Sequence, residues 1–135
     1  EALPDVGSII AHHASAETTV LKQLANRLGG TIADRLEATL GRFKDTEKIA
    51  RAGYYHPDQA SSYSIKKLAP ALAGLGYEDL EIGNGMLAVA QWRHAIDPAT
   101  PEAEKGAILM ALRQYCGRDA ELMHRILESL RAKAF

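Results

Sequence analysis

Only two stretches of this chain read as extended structure, and that scarcity limits the folds open to it. Ile9 and Ile10 in "GSIIAHHAS" follow a glycine and precede a polar cluster, the pattern of a short buried strand. A second extended piece, Phe43 to Asp45, leads into one or two helical turns. Elsewhere apolar residues recur at helical spacing. Val20, Leu21, Leu24 and Leu28 stripe a helix with Ser15 as its N-cap and Gly29-Gly30 at its end. Ile32, Leu36 and Leu40 lie four apart on a second helix. Ser64 caps a third, striped by Ile65, Leu68 and Leu72, which Pro70 is expected to bend or cut in two. A turn at Gly83-Asn84-Gly85 opens a helix carrying Met86, Val89 and Trp92. Acidic residues after Pro101 suit the start of another. The last helix is expected to begin near Arg118, with Gly117 marking a bend or break. The expected class is α/β but helix-dominated, with a few short strands and about six helices. Such an inventory is odd for a whole α/β enzyme and reasonable for half of one.

At 135 residues the chain is expected to be one domain, 1–135, able to remove about two thirds of its unfolded surface from water. No apolar run approaches the roughly 20 residues a bilayer requires, so no membrane role is expected. The opening "EALPDVGSII" lacks a basic end, a long apolar stretch and a small-residue cleavage site, so it does not resemble a signal peptide. An apolar run so near the start suggests an internal fragment or a trimmed chain. The single cysteine, Cys116, excludes an internal disulfide and fits a reducing cytoplasm. It reads as a small buried hydrophobe. The formal charge of −1 carries no electrostatic footprint for nucleic acid. Contact with phosphates would need local clustering of cations or bound metal ions.

The chemistry-bearing residues are few. In "LRQYCGRDAELM", Tyr115 and Asp119 stand four apart, on one face of a helix one turn from each other. A phenol above a carboxylate can place a water between them, the carboxylate holding a cation and the hydroxyl orienting the nucleophile. The same spacing also arises by chance in many helices. Glu17 follows the first strand, in the first turn of a helix, where α/β folds place ligands. There it can equally serve the helix dipole. His12 and His13, taken as strand neighbours, point to opposite faces, and no H-E-x-x-H or paired-cysteine motif supports zinc. His94 and His124 stand alone on helices. Tyr54, Tyr55 and His56, before Pro57, form either a stacking surface for a base or a loop laid on the core. Lys66 and Lys67 can reach phosphates or stay hydrated. Nothing resembles a phosphate-binding glycine loop or a Ser/His/Asp set.

Taken in order, "GSIIAHHASAETTVLKQLA", "KDTEKIARAGYYHPDQASSYSIKKLAPAL", "LGYEDLEIGNGMLA" and "LRQYCGRDAELMHRILESL" resemble successive blocks of a bacterial family labelled as a domain of unknown function. That family is similar to the tyrosine subclass of DEDD-type 3′–5′ exonucleases, which have a ribonuclease H-like fold. Tyr115-Cys116-Gly117-Arg118-Asp119 matches the Tyr-x-x-x-Asp motif. Glu17 falls at the third acidic position, with His13 where the family usually has Asn and Ala16 where it has an aromatic. Asp45-Thr46 and Ser64-Ile65-Lys66-Lys67-Leu68 resemble the blocks between. The resemblance implies two Mg²⁺ or Mn²⁺ ions about 4 Å apart on a scissile phosphate. In that scheme Tyr115, Asp119 and Glu17 are catalytic, Asp119 and Glu17 are metal ligands, and His13, Tyr55, His56 and Lys66 face nucleic acid.

Two departures bear on activity. No Asp-x-Glu precedes residue 7, where Glu1 and Asp5 stand at the wrong spacing beside Pro4. His13 and Ala16 also change the surroundings expected of Glu17. The expectation is therefore an incomplete ribonuclease H-like fold: the C-terminal portion of an exonuclease-like domain, inactive as this isolated chain, its two-ion site incomplete. The alternative is a non-catalytic helical interaction module of the same descent. In that form a bare sheet edge and an apolar face favour self-association or pairing with the missing upstream segment.

Overall fold

Both extended pieces form strands, and they pair. β1 (Ile9–Ala11) and β2 (Phe43–Asp45) run parallel, Ile9 opposite Phe43 and Ala11 opposite Asp45. The computed structural model describes residues 6–133, so Glu1 and Asp5, the acids weighed before the first strand, lie outside the described residues. Six α-helices accompany the two strands among these residues, giving a helix-dominated α/β chain. It divides into two compact units, Glu1–Ile65 and Lys66–Phe135.

In the first unit, parallel pairing demands a long crossover. Two helices packed on each other supply it, α1 (Ser15–Leu28) and α2 (Gly30–Leu40). Gly29 alone separates them, at φ +65, with its N–H on the Ala25 carbonyl at 3.0 Å. A left-handed residue at this junction suits glycine, which has no Cβ to clash. Ser15 is not the N-cap. Ala14 occupies that position, where its methyl offers no side-chain acceptor, and its own amide donates to Asp45 on the neighbouring strand. β2 runs directly into α3 (Thr46–Gly53), and a 3₁₀ turn, Pro57–Gln59, follows. The strand ends at Ala11, so His12 and His13 lie in the turn beyond it and strand alternation does not govern them. Among the described residues, the buried apolar side chains of this unit are Ala11, Ala14, Ala25 and Ala50. Val20, Leu28 and Ile32 remain 53%, 54% and 52% exposed.

In the second unit, α4 (Ile65–Ala73) contains Pro70 in one piece. The amide bond lost there would have pointed back to Lys66 in the first turn, and the helix stops three residues later, so it is not cut in two. α5 (Gly85–Ala95) begins at Asn84, whose side-chain oxygen accepts the Leu87 amide at 2.9 Å. α6 runs unbroken from Glu102 to Lys133 and packs on α5. The expected break at Gly117 is absent. The stripe of buried and half-buried residues, Ile108, Ala111, Tyr115, Asp119, Leu122 and Ile126, keeps helical register straight past it. Gly117 and Cys116 both face outward, so Cys116 is exposed rather than a core residue. Among the described residues, Leu68, Ile82, Leu122 and Ile126 are the largest fully buried side chains of this unit. Among the described residues no helix is long and apolar enough to cross a membrane.

Gly117 therefore carries the cost of a glycine inside an exposed helix and no evident benefit. A Cβ built there meets nothing within 4 Å. Gly117→Ala is expected to stabilise the protein by about 1 kcal/mol, visible as a rise of a few degrees in thermal unfolding. A fall in Tm would mean that the residue has a packing role that the open space does not suggest.

Candidate functional site

The strand ends of the first unit converge on one carboxylate. His13 takes a left-handed φ of +64 and Ala14 is right-handed at φ −55, so their successive amides point to the same spot. Such a pair forms a small anion-binding concavity. Asp45 fills it: His13 N donates to Oδ1 at 3.0 Å and Ala14 N to Oδ2 at 3.1 Å. The same side chain caps α3, accepting from Glu47 N at 3.0 Å and Lys48 N at 3.4 Å. Burial alone would raise the Asp45 pKa, but the amides of His13, Ala14, Lys48 and Glu47 together bring it below the usual carboxylate value.

Around Asp45 the side chains form a connected polar surface. His13 Nδ1 lies 2.8 Å from Glu47 Oε2, and Arg51 Nε donates to Glu47 Oε1 at 2.9 Å. Burial pushes Glu47 up, but the bonds from Arg51 and His13 lower its pKa overall. The Arg51 guanidinium sits 4.6 Å above the Tyr63 ring. His12 reaches the Tyr63 carbonyl through Nε2 at 2.8 Å and Thr46 Oγ1 through Nδ1 at 2.9 Å. Because a carbonyl only accepts, Nε2 of His12 carries a proton in this contact. An open cavity of about 670 Å³ borders His12, His13, Glu47, Arg51 and Tyr63.

The other candidates in this unit are separate from that cluster. Glu17 is in the first turn of α1, as expected, exposed at the rim of an apolar cavity with Val20, Leu21 and Phe43. Tyr55 is exposed. His56 spends its ring on the Asp58 amide at 3.2 Å, while its own amide donates to Gln59 Oε1 at 3.0 Å, closing a reciprocal cap on the 3₁₀ turn.

In the second unit the focus is Asp119. Continuous α6 sets Tyr115 and Asp119 on one half-buried face. The phenol that bonds the carboxylate, however, is Tyr77, whose hydroxyl donates to Asp119 Oδ1. The rings of Tyr77 and Tyr115 are 5.7 Å apart at an interplanar angle of 37°. Burial, then the bond to Asp119 and its charge, push the Tyr77 pKa well up; burial and the same charge raise Tyr115 less. Lys66 donates to the Gly83 carbonyl at 2.8 Å, with Nζ 5.7 Å from the Tyr77 ring centroid. Arg118 grips both oxygens of Asp79, at 2.8 and 2.7 Å, and the Gly76 carbonyl at 2.5 Å.

Tyr77, Asp79 and Arg118 carry no sequence signal as site residues. Their only visible pointer is an aromatic and two acids in the irregular stretch "GYEDL". A family model described as Domain of unknown function (DUF2779) matches residues 1–64, nearly coextensive with the first unit. No curated protein and no solved structure matches the chain.

Asp45 yields a prediction of stability. Its lowered folded pKa means that its contribution is complete above the ordinary carboxylate range and is lost as pH falls through that range toward the folded value. Asp45→Ala should cost about 1–2 kcal/mol at pH 7 from the lost cap alone. It should cost far less at acid pH, where the wild-type carboxyl is protonated. Urea midpoints of the two proteins at both pH values decide it; a pH-independent difference would show that the charge is not what matters.

Proposed function

We propose that the chain is the C-terminal portion of a ribonuclease H-like, exonuclease-like domain that acts on nucleic acid phosphodiesters, and that it does not hydrolyse them as an isolated chain. The observation that supports this most is Asp119 on a half-buried helix face with Tyr115 one turn away and a second phenol on its carboxylate. An ordinary surface aspartate has no need of such surroundings. Hard carboxylate oxygens suit Mg²⁺ or Mn²⁺, so Asp119 and Glu17 each fit as a single ligand. Among the described residues, no three His, Cys, Asp or Glu side chains gather around one point. The chain fits as a contributor to a cation site rather than as the whole of one, and no hydrolytic step is assigned to it. His13, Tyr55, His56 and Lys66 are the residues proposed to meet nucleic acid. In this structure His13 is held by Glu47 and Lys66 by Gly83, so a phosphate would have to compete for both.

A second reading, a non-catalytic helical interaction module, is favoured by the alanine-built core of the first unit beside the exposed Val20, Leu28 and Ile32. Such surfaces mark contacts with a partner or a second copy.

The two readings separate in one experiment. Fluorescence anisotropy of end-labelled single-stranded DNA and RNA, with Mn²⁺ or with EDTA, is expected to show cation-dependent binding without cleavage. Asp119→Asn and Glu17→Gln should weaken it severalfold. Absence of binding, or binding indifferent to cation and to both substitutions, rejects the nucleic-acid reading. Sedimentation of the same sample then tests self-association.

A further inference from the structure

Tyr77 is outside α6, yet its phenol is the group that touches Asp119. The side chain is buried, 7% exposed, between the Tyr115 ring and the Lys66 ammonium. The segment that carries it is fastened to α6 on both sides, at Gly76 and at Asp79, by the single side chain Arg118. Those bonds hold the backbone on either side of Tyr77 against α6. A phenylalanine would fill the same space; the hydroxyl adds only the bond to Asp119 Oδ1. The terminal torsion of an aspartate is soft, and a fixed, charge-assisted donor on one oxygen removes that freedom. The oxygen left without a described donor is Oδ2.

We infer that Tyr77 is a positioning residue for Asp119: by holding Oδ1 it presents Oδ2 alone, in a fixed direction, to a divalent cation. This rests on the reading of Asp119 as a cation ligand. It divides the two phenols by role, with Tyr77 orienting the ligand and Tyr115 remaining free to face water or phosphate. Partners of this kind behind a metal ligand are worth about 10–100-fold in affinity.

The test is Mn²⁺ binding to the whole chain at pH 7.5, followed by the electron paramagnetic resonance of free Mn²⁺. Wild type, Tyr77→Phe, Tyr115→Phe and Asp119→Asn are compared, each checked for folding by circular dichroism. Weak but saturable binding, as one carboxylate of an incomplete site allows, is expected in the wild type, lost in Asp119→Asn, weakened about tenfold or more in Tyr77→Phe and unchanged in Tyr115→Phe. If Asp119→Asn abolishes binding but Tyr77→Phe leaves it equal or tighter, the role of Tyr77 is overturned and the cation reading stands. If the wild type binds no Mn²⁺, both are overturned together. Should Tyr77→Phe not fold, the wild-type Tyr77 hydroxyl proton is followed by NMR during a Mg²⁺ titration. A resonance that shifts and persists supports positioning, and one that vanishes as Mg²⁺ saturates shows displacement and overturns it.

Discussion

The first unit depends on the Asp45 carboxylate. Two parallel strands of three residues each form too few backbone bonds to hold themselves together. Asp45 accepts from four amides on two separate turns: His13 and Ala14 where β1 becomes α1, Glu47 and Lys48 where β2 becomes α3. The left-handed His13 costs about 1–2 kcal/mol. Each hydrogen bond to a charged acceptor contributes about 1.5–3 kcal/mol, so the two bonds that this backbone shape permits more than offset the strain. Thr46 completes the joint, its hydroxyl meeting the Ala11 carbonyl at 3.1 Å and the His12 ring at 2.9 Å. The polar surface of His13, Glu47 and Arg51 lies where it does because this joint fixes both turns.

The second unit solves the same problem, that of holding irregular chain against regular structure, with a helix instead of a carboxylate. α6 spans 32 residues, about 48 Å of rigid backbone. Arg118 and Asp119, adjacent in sequence, reach the loop at Gly76, Tyr77 and Asp79. Exposed ion pairs of the Arg118–Asp79 kind add little stability by themselves. Bidentate geometry gives this one direction, and direction is what a buried phenol needs to meet a carboxylate. A structural pair thus stands beside a candidate functional one, and the first sets the geometry of the second.

Periodicity made the helices legible in the sequence because each buries one stripe, and the first strand was legible because its two isoleucines stand between a glycine and a polar cluster. What failed were readings that depend on a neighbour. Ser15 has the chemistry of a cap, but the chain enters the helix one residue earlier, at Ala14, whose amide is held across the sheet by Asp45. Gly117 has the look of a breaker, yet the stripe from Ile108 to Ile126 is deep enough to carry the helix through one poor residue. Cys116, apolar by type, falls on the outer side of that stripe. Among site residues, the local partners of Glu17 and Asp119 were readable as first-turn and i,i+4 positions. Tyr77 was not, because its contact spans 42 residues and no spacing rule reaches that far.

The two functional readings share one physical origin. A parallel sheet is normally covered on both faces and continued by further strands. Here the sheet of the described residues is the pair β1–β2 alone, and the fully enclosed apolar side chains of its unit are alanines, while Val20, Leu28 and Ile32 stay half in water. Burying a methyl side chain removes far less apolar surface than burying a leucine, so this unit gains little from its own core. The shortage of large buried side chains and the shortage of gathered carboxylates have the same remedy, since a strand added beside β1 could bring apolar cover and acidic ligands together. A partner that brings cover without acids would leave an interaction module; one that brings both would make Glu17 part of a cation site. What distinguishes the readings is therefore the chemistry of whatever pairs with the sheet, and not the fold of the residues described.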